Sequence, residues 1–278
     1  MKAKRDDAVI SRSVSGTLTF SAVVLKYHQS ISATGDSSVL ESFNGIVIED
    51  DQTVDQRVDV RNLQVYGRAV FCEDVEADEI EVFGSSRFRS FLSCDRLSVT
   101  GEAVVLDGLL AESVRVDGSL NVSGRFRSDV VVVDGTLTAS GKYSGARLLI
   151  RSKGRVDAAA PIKAERLNVN GAIYTGAVFS GENLEILSCE HSEIARVRVI
   201  EASVKYKPRG DVPEIREGEY LLSSYYIEAQ NANLEYVSAD SLECDSAYIG
   251  PGCRIGEIIY KNDIEIDKRS VVERLYRI

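Results

Sequence analysis

Residues 97–135 read LSVTGEAVVLDGLLAESVRVDGSLNVSGRFRSDVVVVDG, and within them Gly101, Gly118 and Gly135 stand at equal intervals of seventeen positions. Leu97, Val114 and Val131 keep that interval, and so do Val99, Val116 and Val133. An apolar–x–apolar motif, followed after one more residue by glycine, therefore recurs with a fixed period. The phase extends outward on both sides. Gly67 and Gly84 precede it, with Leu63, Val65, Ile80 and Val82 in the matching apolar positions. Beyond it the phase slips by two, because Gly154 comes two positions later than the period requires after Gly135, and Gly171 then restores the interval.

Apolar residues two apart are the signature of a strand with one face turned inward. Gly67, Gly84, Gly101, Gly118, Gly135, Gly154 and Gly171 read as coil corners, where glycine would supply a positive φ. A second strand is visible in the same coil: Val104 and Leu106 before Gly108, Leu120 and Val122 before Gly124, Leu137 and Ala139 before Gly141. A coil of this length has room for about three short strands and three corners. Leucine-rich repeats, the competing solenoid, use units of roughly 20–29 residues with a fixed leucine and asparagine pattern that is missing here. The sequence thus predicts an all-β fold, a single-stack parallel β-helix (β-solenoid) with coils of about 17 residues. Equivalent residues would stack at ~4.8 Å, each coil burying its neighbour's apolar columns.

Composition agrees with this. Four prolines, one methionine and no tryptophan accompany an abundance of valine, isoleucine, leucine, serine and glycine. A net charge of −10 argues against a nucleic-acid partner, which would be held by clustered Lys and Arg. No apolar run approaches the ~20 residues of a membrane helix. The basic start from Met1 to Arg5 is not followed by an apolar segment, so no secretory signal is expected. The five cysteines lack a framework spacing and read as reduced thiols acting as small buried hydrophobes.

The chain divides by pattern. Residues 1–13 form a flexible N-terminal tail, and 14–204 the β-helix, with irregular first coils to about residue 60. The charged segment 205–218 contains Pro208, Pro213 and Gly210 and is expected to leave the stack as a loop, since two prolines cannot sit in a central ladder. Residues 219–262 form C-terminal coils, where Ile249-Gly250 and Ile255-Gly256 suggest a step nearer six, and 263–278 a C-terminal strand or tail.

Chemistry is sparse, and no catalytic, cofactor-binding or metal-binding residue is expected. The Ile249 to Gly256 pattern is similar to the hexapeptide repeat of left-handed β-helix acyltransferases. Those need the hexad through many coils and a histidine base, whereas only His28 and His191 are present. Asp117 and Asp134 stack one period apart, as acids do in polysaccharide-cleaving β-helices, but Phe83 and Thr100 precede them in that column. Cys189, His191, Cys244 and Cys253 do not make the four-ligand set of a closed zinc site. No P-loop is present. An enzyme on a β-helix, or a monomeric adaptor using the 205–218 loop, remain the alternatives.

The ends of such a stack are different. A terminal coil exposes unpaired N–H and C=O groups over an apolar core, and two ends that meet continue the ladder into a polymer. Candidate contacts are Leu18 and Phe20 in the first coils and Ile255, Ile258 and Tyr260 in the last.

The glycine-punctuated Val-x-Val coils of residues 60–204 resemble the bactofilins, the polymer-forming cytoskeletal proteins. So does the segment 226–260, with Tyr226-Ile-Glu-Ala, Leu234-Glu-Tyr-Val-Ser-Ala and Tyr248-Ile-Gly-Pro-Gly-Cys-Arg-Ile-Gly. It is similar to the end of longer members from Gram-positive bacteria. The resemblance implies a right-handed β-helix that polymerises end to end without nucleotide in the cytoplasm, at the inner face of the membrane. Its implied partners are the chain itself, other members of the family and envelope proteins, with membrane association at most peripheral. Roles in cell shape, envelope organisation or surface-appendage assembly follow. The chain is longer than the compact members, is interrupted at 205–218, and lacks an apolar membrane-targeting peptide at its start.

Overall fold

A computed structural model describes residues 45–208, 215–216 and 218–278. Leu18, Phe20, His28 and the expected tail and first coils up to residue 44 lie outside the described residues. Those described form one all-β parallel solenoid without helix, in which every strand belongs to a single continuous sheet.

Each regular coil has a four-residue strand such as Arg68–Phe71 and an eight-residue strand such as Val75–Val82. The long strand bends at its middle: Ala77 pairs with Cys94 and Glu79 with Arg96, while Asp78 and Asp95 between them are skipped. A coil therefore has three faces. Residues 62–65 and 79–82 lie on the first, 68–71 and 85–88 on the second, and 75–77 and 92–94 on the third. Alternation places Val75, Ala77, Ile80 and Val82 inside, and their equivalents stack in columns along the axis. Phe71 and Phe88 stack in the interior, with ring centroids 4.9 Å apart. Each fully buried Val, Leu, Ile or Phe contributes about 1.5–3 kcal/mol, and neighbouring coils supply most of that burial.

Parallel pairing preserves the sequence period from the first described coil, where Ile46 pairs with Leu63 and Gln52 with Ala69. Regularity thus begins earlier than the glycine phase suggests. The two-residue slip lies in a four-residue turn, 151–154, between first and second faces, so that Leu148 pairs with Leu167. The chain leaves this same corner after Tyr206, not at Lys205 as expected, because Lys205 and Tyr206 still pair with Leu187 and Ser188; the stack then runs on, with Val204 paired to Leu234. The next coil is shorter by two positions. Leu234 pairs with Ile249, because a single residue, Asp240, turns the second face into the third. The step of six does not exist in the structure: Ile249 lies on the first face and Ile255 on the second face of the following turn. Residues 263–278 supply a further coil, with strands Ile264–Ile266 and Val271–Arg277.

The corner glycines have a different cause from the one expected. Positive φ occurs among the described glycines at Gly218 and Gly252, not at the seven of the column. Those seven are small because consecutive corners lie directly on one another. The Val65 carbonyl accepts hydrogen bonds from Phe83 N–H at 2.8 Å and Gly84 N–H at 3.0 Å, and the Gly67 carbonyl accepts from Ser85 N–H at 2.9 Å. A Cβ on Gly118 would overlap the carbonyl oxygens of Gly101 and Thr100. Gly118→Ala is therefore expected to cost about 1–3 kcal/mol, the range of an overpacked core. Gly176 is the control, because a methyl placed there meets nothing within 4 Å and its φ is not positive. Gly176→Ala should be neutral or stabilise by up to about 1 kcal/mol, by restricting the unfolded chain. Denaturation midpoints of the two variants check this, and equal effects would contradict it.

Candidate functional site

Strand Val271–Arg277 closes the described stack. It pairs on one side with Arg254–Tyr260 and, among the described residues, has no strand on the other. Its open side is an edge of unpaired backbone groups. Among the described residues the inward columns end here. Leu275 stands over Ile258 and Ile266 over Ile249. Ile258 and Ile249 are 0 % exposed, whereas Leu275 is 45 % and Ile266 36 % exposed. Ile264 and Val272 are half-buried members of the same end face. Beside them Val271, Tyr276 and Ile278 are exposed.

The last coil is nonetheless well built. Ser270 Oγ donates to the Gly250 carbonyl at 2.5 Å and accepts from Cys253 N–H at 2.9 Å. Asp267 accepts from Arg269 N–H at 2.8 Å and from the Arg269 guanidinium at 3.0 and 2.9 Å. These bonds hold the Asp267 carboxyl at about 2, below the usual carboxylate range. Lys261 pairs with Asp245 of the coil below at 2.7 Å.

Ile255 and Ile258, expected at the end, are instead core residues capped by Val272 and Leu275. Tyr260 is half-buried beneath Arg277. The apolar end face lies one coil further along. The spacing of the charged residues in 261–278 obscured its strands, although Ile264, Ile266, Val272 and Leu275 follow the inward pattern.

The other candidate residues form no common centre. Arg115 binds Asp117 at 2.7 and 2.8 Å and reaches Asp134 at 3.4 Å, while Arg151 donates to Asp134 at 3.2 Å. This ladder of ion pairs, led by Arg115, keeps the Asp117 carboxyl below its ordinary value. His191 lies on the same edge several coils on, its Nδ1 2.8 Å from the Tyr220 carbonyl oxygen. Sequence reading missed an acidic column on the third-to-first corner: Asp78, Asp95, Glu112 and Asp129, each one period after the last. It borders a shallow groove of about 480 Å³ whose floor includes Cys94. The signal was available in the same phase, read at polar rather than apolar positions. Among the described residues no group of three or more His, Cys, Asp or Glu is placed to hold a metal ion.

Comparison with protein-family models, with curated proteins and with solved structures found no match.

Burial has two measurable consequences. Ile258→Ala should destabilise the solenoid by about 2–5 kcal/mol, whereas Leu275→Ala, on the open face, should cost well under about 1 kcal/mol of monomer stability; denaturation of dilute protein measures both. The thiols provide the second. Cys94, Cys244 and Cys253 are buried, and burial pushes their thiols up, to about 12 for Cys94 and about 11 for the other two. Cys72 and Cys189 are half-buried. A thiol reagent at neutral pH should therefore label native protein at Cys189 and, more slowly, at Cys72, whose thiol a hydrogen bond with Asp55 holds above its ordinary value, and reach all five cysteines after denaturation. Rapid native labelling of Cys94 would contradict the packing.

Proposed function

We propose that this chain is a non-enzymatic structural protein that joins other copies end to end through its terminal coils. The polymer needs no nucleotide, because the junction only continues a backbone ladder already running through the molecule. The carrying observation is the contrast between Leu275 and Ile266 on the last coil and the fully buried Ile258 and Ile249 directly beneath them. A further coil placed on this face would cover both apolar side chains and satisfy the open strand edge together. The likeness of the coils to bactofilins supports the same reading. With it comes the cytoskeletal setting: cell shape, envelope organisation or surface-appendage assembly, from the cytoplasmic side of the membrane. Partners in that setting are further copies, related family members and envelope proteins, without nucleic acid and with membrane contact at most peripheral. Among the described residues no helix is long and apolar enough to cross a membrane.

Electron microscopy of the purified full chain tests this. Wild-type protein should form filaments or end-joined rods without added nucleotide. Leu275→Asp places a charge in the junction and should leave single particles while retaining the β spectrum. A wild-type protein that stays strictly monomeric at high concentration would refute the proposal.

A further inference from the structure

The end face turns Ile264, Ile266, Val272 and Leu275 inward, with Ser270 hydrogen-bonded to the coil below, and has one charged exception. The exception belongs to a column at the corner between third and first faces. Successive pairings link Val199 to Ala229, Ala229 to Cys244, Cys244 to Tyr260, and Tyr260 to Arg277. Val199, Ala229 and Cys244 are buried, Tyr260 is half-buried and packed on the core, and Arg277 is exposed. Among the described residues, a column of small or apolar side chains thus has a permanent cation as its last member. The Arg277 side chain is anchored over that corner, its Nε donating to the Lys261 carbonyl at 3.3 Å. Three neighbouring arginines are paired: Arg269 with Asp267, Arg274 with Glu257, and Arg254 of the coil below with Glu273. Arg277 forms no ion pair with any described residue.

We propose that Arg277 is a brake on end-to-end association of this chain. The inference rests on the polymerisation reading and concerns its regulation. In a free end the guanidinium is solvated. When the end coil of a second copy covers Leu275 and Ile266, Arg277 is carried under the same cover, at a position where the preceding coils hold Cys244 and Ala229. Its desolvation opposes the gain from burying the apolar side chains. An inward-pointing charge on a terminal strand is a known means of restraining edge-to-edge pairing. Here it occupies one corner of the face, so it weakens stacking and leaves the rest of the apolar surface intact.

Arg277→Ala installs the residue that the column carries at Ala229 and adds no apolar bulk. Sedimentation velocity across a concentration series, with full-length protein, compares it with wild type, Arg277→Lys, Leu275→Asp and the double variant Arg277→Ala/Leu275→Asp. Circular dichroism verifies that each is folded. Arg277→Ala should reach half-association at a concentration at least about tenfold lower than wild type. Arg277→Lys keeps the charge and should stay within about twofold of wild type. The double variant should lose the gain, showing that the added association uses the apolar end face and is not general stickiness. If Arg277→Ala associates no better than wild type while Leu275→Asp still disrupts assembly, the brake is refuted and the end-to-end reading stands. If Leu275→Asp changes nothing in either background, the end-to-end reading itself fails.

Discussion

Everything in this molecule depends on the vertical contact at one corner of the coil. There the carbonyl of a strand's last residue, Val65 for example, accepts two amide hydrogen bonds from the next coil, and the Gly67 carbonyl accepts a third from Ser85. The bonds bring backbone onto backbone with no space for a Cβ. They align each coil with the one below, and that alignment turns single apolar residues into continuous columns. Extra residues are accommodated at the edge of this contact rather than within the strands. The turns at 151–154, 250–253 and 267–270 and the excursion after Tyr206 all lie between first and second faces. Shortening occurs elsewhere, at the second-to-third corner, where Leu222–Leu234 and Val237–Ile249 wrap three faces as nearly unbroken strands.

The fold was legible in sequence because an in-register stack repeats its inward positions at constant spacing. Leu97, Val114 and Val131 had to line up in space once they shared one phase of the repeat. The reason for the glycines was not legible, since a tight turn and a close backbone approach both select glycine. The step of six at Ile249 and Ile255 was a coincidence of two different faces within one winding. Where coils change length, intervals between residues no longer report which of them stack.

The end face was harder to locate for a related reason. Ile255 and Ile258 carry the apolar pattern plainly, whereas the coil above them mixes Ile264, Ile266, Val272 and Leu275 with a charged surface. The face that results is a balance of opposites. An open edge and exposed apolar columns favour another coil. Arg277, standing where small or apolar side chains stand below it, opposes one. Such a balance would let the proposed end-to-end association be restrained. The flanks carry acids held in ion pairs, as at Asp117 and Asp134, or spread in a column, as at Asp78 and Asp95.

Amide hydrogen exchange read strand by strand, at low and at high protein concentration, tests the central claim most directly. In dilute protein, protection should be greatest in the interior coils and least in Ile264–Ile266 and Val271–Arg277. On raising the concentration, strand Val271–Arg277 should gain protection while the lateral faces, including the groove beside Asp95, stay unchanged. A gain confined to the lateral faces, with the terminal strand exchanging as fast as before, would contradict end-to-end association through this coil.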